Sequence, residues 1–164
     1  MDLTSYSLED LILAAIKSEQ ESHDIYTRIA QSVENGLMID KFQFLAKEEV
    51  KHKHYVEQLY HKQFPDKTLT LPSKTPVPLP EINLPENEDV SLSDLIEQAM
   101  EAELAAHDFY LGLSDRFDDT TIKHMLHYFA DMETGHYKIL EQEQQSLKWF
   151  EQSDVYWPMV HAGP

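Results

Sequence analysis

The sequence contains the same pattern twice, and this internal repeat restricts the chain to a small set of folds. Residues 7–61 align without a gap on residues 91–145, and 15 of the 55 aligned residues are identical. The offset is constant at 84 positions, so that Ser7 and Ser91 occupy equivalent places. A repeat of this length indicates two copies of one supersecondary unit, which bury their apolar faces against each other.

A proline-rich stretch separates the two copies. Six of the eight prolines lie between residues 64 and 90, where they exclude a helix or a central strand. The flanking segments have no proline and are rich in Ala, Leu, Glu, Gln, Lys and Met, which favour helix. The sequence therefore predicts a helical hairpin at 7–63, an extended crossover at 64–90 and a second hairpin at 91–150. A short aromatic C-terminal tail, 151–164, follows.

Each predicted hairpin consists of two amphipathic helices. Both copies open with a serine three residues before an aspartate, at Ser7 and Ser91, which is typical of a helix N-cap. Apolar residues then recur in steps of three, four or seven. Asn35-Gly36 and the polar run at 118–120 predict the breaks inside the hairpins. Four helices of about 25–30 residues with one long crossover predict an all-α four-helix bundle.

The composition excludes several classes of function. The formal net charge is −17, which repels phosphate backbones and anionic lipid, so we expect no nucleic-acid or membrane partner. No apolar run approaches the roughly 20 residues of a membrane span. The first ten residues carry acids where a secretory signal carries bases, so we expect a cytoplasmic protein. The absence of cysteine excludes disulfides and thiolate metal sites.

Six ionisable residues interrupt the apolar stripes at matching positions in the two copies. Burying a lone charge costs several kcal/mol unless the charge is paired or binds a metal. The first helix of each hairpin carries one glutamate, and the second carries a Glu-x-x-His pair on one face. These residues are Glu19, Glu49, His52, Glu103, Glu133 and His136. Four carboxylates match the charge of two divalent cations, and oxygen with imidazole ligands suits iron or manganese.

This combination of ligands is typical of the ferritin-like di-iron carboxylate proteins. The segments SEQESHDIY, AELAAHDFY and AKEEVKH make the chain resemble the rubrerythrin family in particular, over about residues 7–147. The resemblance implies that the six residues bind two iron ions, which manganese or zinc can replace. Rubrerythrins typically end in a rubredoxin-like domain with four cysteines, and this chain has none. An external electron donor, such as a rubredoxin-like protein, is therefore expected.

The resemblance implies a peroxidase or oxidase function, namely the reduction of hydrogen peroxide or oxygen at a carboxylate-bridged binuclear site. We expect a homodimer. Two alternatives stay open: a ferroxidase and iron-storage protein, and a helical bundle that serves interaction without catalysis.

Two tyrosines complete the set of candidate residues. Tyr26 and Tyr110 lie seven residues after Glu19 and Glu103, about two helical turns further along the same face. Each phenol either hydrogen-bonds a ligand carboxylate, donates an electron, or is an amphipathic core residue. The repeated histidines His23 and His107 are either donors near the site, extra ligands or partly exposed surface residues.

Overall fold

The structure, a computed structural model, describes residues 3–74, 76–79 and 91–160, with side chains up to residue 149. Four helices follow one another along the chain: α1 (Leu8–Ser32), α2 (Gly36–Gln63), α3 (Leu92–Ser114) and α4 (Thr120–Val160). No strand occurs among these residues. The predicted all-α four-helix bundle is confirmed.

Polar side chains begin the helices as the sequence predicts. The hydroxyl oxygens of Ser7 and Ser91 each accept a hydrogen bond of 3.1 Å from the amide three residues later. Asn35 accepts from the amides of residues 37 and 38, and Asp119 from those of residues 121 and 122. These bonds satisfy amides that have no partner within the helix, so each helix has a defined start.

The fourth helix extends beyond the predicted end of the second hairpin. The sequence places that end at residue 150 and an aromatic tail at 151–164, but α4 continues to Val160. The first ten residues of the tail therefore belong to the helix, and the last four lie outside the described residues. No glycine or proline stands between Gly135 and Pro158, so nothing in this stretch interrupts the helix.

Two apolar clusters occupy the two ends of the bundle. Both draw buried residues from all four helices; one includes Ile12 and Val56, and the other includes Ile29 and Leu45. Helix α1 packs along α2, α3 packs along α4, and the two hairpins meet mainly through α1 and α3. Each buried Leu or Ile contributes about 1.5–3 kcal/mol, so both ends are firmly packed around the middle of the bundle.

The described part of the crossover contains neither helix nor strand and lies against the end of the first hairpin. Val77 is buried in the apolar cluster there. Lys67 pairs with Glu9 at the start of α1, and the Tyr60 hydroxyl donates a hydrogen bond of 3.0 Å to the same carboxylate. Among the described residues, none of the helices combines the length and the apolar character that a membrane crossing requires.

Candidate metal centre

The six ionisable residues singled out from the sequence meet in the middle of the bundle, between the two apolar clusters. All six are buried, with 1–3% of their surface exposed. Helices α1 and α3 each contribute one glutamate, whereas α2 and α4 each contribute a Glu-x-x-His pair. The residues are Glu19 from α1, Glu49 and His52 from α2, Glu103 from α3, and Glu133 and His136 from α4.

These side chains form two overlapping groups of four. Within each group the ligand atoms lie within 4.8 Å of one another. The first group consists of Glu19, Glu49, His52 and Glu133, and the second consists of Glu49, Glu103, Glu133 and His136. The carboxylates of Glu49 and Glu133 belong to both groups. Each therefore lies within reach of the ligand atoms of both groups, whereas the other four residues belong to one group each.

Both imidazoles turn Nδ1 towards the carboxylates. His136 Nδ1 lies 3.0 Å from Glu49 Oε1 and 3.0 Å from Glu133 Oε2. His52 Nδ1 lies 3.1 Å from Glu133 Oε1 and 3.5 Å from Glu49 Oε2. Each histidine therefore contacts the shared carboxylate of its own helix and that of the opposite hairpin, which holds the two hairpins in register.

Several of these atoms are buried without a hydrogen bond. They are Glu49 Oε1, both ring nitrogens of His52, both carboxylate oxygens of Glu133 and His136 Nδ1. The imidazole rings and the carboxylates therefore attract each other electrostatically, although these short contacts do not have the geometry of hydrogen bonds. Buried polar atoms are nearly always satisfied, and unpaired ones cost free energy. Oxygen and imidazole donors that lack partners and converge on one space fit the binding of metal cations such as iron or manganese.

The carboxylates differ in how readily they hold a proton. Burial raises the pKa of Glu19 well above its usual range, and repulsion from Glu133 and Glu49 adds to this effect. Burial likewise raises the pKa of Glu103. Burial also acts to raise the pKa of Glu49, but the contacts with the two histidines outweigh it and lower the pKa to about 2. Burial and repulsion from Glu49 act to raise the pKa of Glu133, but its contacts with His136 and His52 outweigh them and lower it. The two shared glutamates therefore ionise more readily than Glu19 and Glu103.

The histidines carry the compensating positive charge. Burial acts to lower the pKa of His52, but its contacts with Glu133, Glu19 and Glu49 outweigh burial and raise the pKa to about 12. The pKa of His136 rises for the same reason. Protons on these imidazoles neutralise part of the carboxylate charge, and a cation that binds Nδ1 must displace them.

The two candidate tyrosines hydrogen-bond glutamates of the opposite hairpin. The Tyr26 hydroxyl donates to Glu103 Oε1, and the Tyr110 hydroxyl donates to Glu19 Oε1. Seven residues span about 10.5 Å along a helix, so neither ring reaches the glutamate on its own helix. The pairing of 26 with 103 and of 19 with 110 shows that α1 and α3 run antiparallel.

Both phenols remain protonated donors. Burial raises the pKa of Tyr26 and of Tyr110 well above the usual value, and the nearby carboxylates add to the shift. Each tyrosine therefore makes the hydrogen bond to a carboxylate that the first of its three candidate roles requires.

The repeated histidines outside the apolar stripes do not join the cluster. His23 Nδ1 lies 3.0 Å from Asp24 Oδ1, and His107 Nδ1 lies 2.9 Å from Asp108 Oδ1. Their side chains are about one-third exposed. Both are therefore surface residues that pair with the neighbouring aspartate.

One neighbour of the site was not identified from the sequence. The Phe129 ring lies 4.5 Å from the His52 ring, centroid to centroid, and contacts Tyr55 and Tyr110 edge-on. The residue equivalent to Phe129 in the first copy is Leu45. The difference between the two copies could have drawn attention to this position. An aromatic residue in the second copy replaces an aliphatic one in the first, four residues before the shared glutamate.

Comparisons with known proteins agree with this geometry. A family model described as Rubrerythrin matches residues 10–144. The chain belongs to the rubrerythrin family. A solved structure of a hypothetical protein from Pyrococcus furiosus is similar to this rubrerythrin-family chain, with 35% identity and a TM-score of 0.79. The similarity covers 90% of this chain and 94% of the other. No curated protein matches.

The family assignment confirms the resemblance deduced from the sequence. The 164 residues of this rubrerythrin-family chain contain no cysteine with which a rubredoxin-type iron site could be built. The buried cluster of glutamates and histidines is compatible with a di-iron site.

Proposed function

We propose that this rubrerythrin-family protein is a di-iron oxidoreductase that reduces hydrogen peroxide, or oxygen, with electrons from an external donor. The observation that carries the proposal is the sharing of Glu49 and Glu133 between two groups of buried ligands. A site for a single metal ion would not require two overlapping groups of ligands. A structural core has no use for six buried ionisable side chains with unpaired atoms.

In this proposal, each of two metal ions is bound by its own set of residues of the chain. Glu19 and His52 complete one group, and Glu103 and His136 complete the other. Two bound iron ions supply one electron each, which together are the two electrons that peroxide reduction requires. Iron is our proposal for the metal, and manganese or zinc can occupy the same donors.

The surrounding residues position the ligands and limit the access of water. Tyr26 and Tyr110 each fix one oxygen of a glutamate that belongs to a single group. This leaves the second oxygen of that glutamate to bind a metal. The apolar clusters on both sides keep the site dry, which strengthens the interactions between charges. We therefore assign the two tyrosines a positioning role.

The proposal is tested by the reaction of the ferrous protein with two oxidants. Protein loaded anaerobically with two ferrous ions per chain is mixed in a stopped-flow instrument with hydrogen peroxide and, separately, with oxygen. We expect faster oxidation by peroxide, with one peroxide and two protons consumed for every two ferrous ions oxidised. A reaction with peroxide that is no faster than the reaction with oxygen would overturn the peroxidase proposal.

A matched pair of variants accompanies this experiment. Glu103→Gln removes a buried ligand, whereas Glu101→Gln makes the same change on an exposed position of the same helix. We expect the first variant to slow the oxidation and the second to behave like the unchanged protein.

A ferroxidase and iron-storage function is the second candidate. The net charge of −17 favours it, because such a surface attracts cations. The two functions predict different assemblies, since storage needs a closed shell of many subunits and we propose a homodimer for the peroxidase. Size-exclusion chromatography separates the two. Protein produced with ample iron and found to contain no iron or manganese would favour a bundle that serves interaction alone.

A further inference from the structure

A groove of about 760 Å³ lies on the outer surface between α1 and α2. Its lining includes the apolar side chains of Phe44 and Val50, each half exposed. Lys47 and Lys51 stand beside them. An exposed aromatic and aliphatic surface with cationic residues around it is typical of a protein docking site.

The equivalent surface of the second hairpin has a different charge. Asp131 occupies the position of Lys47, and Gly135 occupies the position of Lys51. Both hairpins come from one repeat, so the two surfaces share a backbone arrangement and differ in side chains. The lysines therefore distinguish one face of a chain whose net charge is −17.

One of the two lysines is available to an external carboxylate. Lys51 Nζ lies 2.5 Å from Glu48 Oε1. Among the ion pairs of the described residues, none involves Lys47. An ammonium group without an internal partner, beside exposed apolar side chains, favours a partner with an acidic surface.

The groove lies directly behind the candidate metal centre. The shared ligand Glu49 stands between two groove residues, Glu48 and Val50, and its side chain points to the opposite side of α2. On α1, the groove residue His23 follows the ligand Glu19 by four positions. The groove and the ligands thus lie on opposite faces of α2, whereas on α1 the groove residue His23 lies about one helical turn from Glu19.

We propose that this groove is the docking surface for the electron donor, and that the donor is a small acidic electron-transfer protein. This inference rests on the proposed function. Reduction of one hydrogen peroxide to two waters takes two electrons and two protons. A one-electron carrier supplies the electrons in two encounters, and each encounter leaves one carrier oxidised. Short-lived encounters of this kind use small interfaces with charged rims.

The first test measures binding without any redox chemistry. The ¹⁵N-labelled protein is titrated with a rubredoxin that contains zinc in place of iron, an acidic and redox-inert probe. We expect amide shifts at residues 44, 47, 50 and 51, and none at residues 128–135. Shifts at residues 128–135 or the absence of shifts would overturn the proposal. Shifts at the groove that depend only on the protein's own concentration would assign it to a second copy and overturn it as well.

The second test measures electron transfer in the iron-loaded protein. Lys47→Asp places in the groove the residue that the second hairpin has at this position. Lys74→Asp makes the same change of charge on an exposed residue of the crossover. With reduced iron rubredoxin as donor, we expect Lys47→Asp to lower the second-order rate constant on the order of tenfold and Lys74→Asp to change it little.

Reduction by dithionite, which needs no docking surface, separates the two proposals. We expect equal rates with dithionite in all three proteins. If dithionite reduces them and Lys47→Asp leaves the rubredoxin rate unchanged, the docking proposal is wrong and the proposed function stands. If neither reductant transfers electrons to the iron-loaded protein, the proposed function itself fails.

Discussion

The hairpins α1–α2 and α3–α4 differ on the surface much more than in the middle of the bundle. Outside, Lys47 and Lys51 of the first hairpin correspond to Asp131 and Gly135 of the second. Inside, each hairpin supplies one glutamate, one Glu-x-x-His pair and one tyrosine that reaches across to the other hairpin. The difference indicates that the interior is constrained by a requirement common to both copies, whereas each surface is constrained separately.

The largest effect is expected from comparing a carboxylate that belongs to both groups of ligands with one that belongs to a single group. Glu49 belongs to both groups of ligands and Glu19 to one. We expect Glu49→Gln to abolish binding at both positions and Glu19→Gln at one. The loss of affinity should exceed the roughly 10–100-fold that removal of a supporting hydrogen bond costs. The measurement is the number of Mn²⁺ ions bound per chain at equilibrium, with Glu101→Gln as the control. Equal losses in both variants would contradict the bridging role of Glu49.

The crosswise tyrosines test whether the two halves support their ligands equally. Tyr26→Phe and Tyr110→Phe each remove one hydrogen bond to a buried glutamate and leave the ring in place. We expect each variant to lower the metal affinity by about 10–100-fold, and by a similar factor. Competition with a chelator measures the affinity. Unchanged affinity would show that the phenols are merely core residues, and unequal losses would show that the halves are inequivalent.

Phe129 is a position at which the inner surfaces of the two hairpins differ. Phe129→Leu gives the second hairpin the residue that the first has at this position and removes the ring beside His52. We expect a loss of about 1–3 kcal/mol in the free energy of unfolding, less than complete truncation of a buried phenylalanine costs. Urea unfolding of the metal-free protein measures this. No loss would mean that the surrounding residues close the cavity completely.

The smallest expected effect concerns a contact that only the first hairpin has. Lys67 and Tyr60 lower the pKa of Glu9 below its usual 4.5, and the equivalent position in the second hairpin is Ser93. Because the folded state lowers this pKa, the contact stabilises the protein above about pH 4.5. The contribution disappears as the pH falls through the lowered pKa.

Urea unfolding of the unchanged protein and of Glu9→Gln between pH 3 and 6 measures this contribution. We expect a small difference at pH 6 that decreases as the pH falls below about 4.5. A difference that is independent of pH would exclude an electrostatic origin.

The repeat made much of the fold and the composition of the site predictable. Identical residues at a constant offset gave the two hairpins, and polar residues in apolar stripes gave the six side chains that the structure brings together. Metal binding by these residues stays a prediction. The contacts between the hairpins could not be predicted from the sequence, because the periodicity of apolar residues describes one helix at a time. The sequence left open which ligand carboxylate Tyr26 contacts, and the antiparallel packing of α1 and α3 brings its hydroxyl to Glu103.

The end of α4 was missed for a different reason. The first hairpin ends at a proline-rich segment, whereas the end at residue 150 was placed where an aromatic-rich tail follows the helix-favouring composition. The helix continues because the sequence lacks a glycine or proline at that place. A repeat predicts what its two copies share, and it has no information about a segment that follows only one of them.

Neither hairpin contains a complete group of ligands, because each group takes members from both. The arrangement of the ligands therefore does not depend on whether the two hairpins belong to the same chain. Two molecules that exchanged their second hairpins would rebuild two intact centres from the same atoms. Monomers and intertwined dimers of this chain would then bind metal alike and differ only in the path of the crossover.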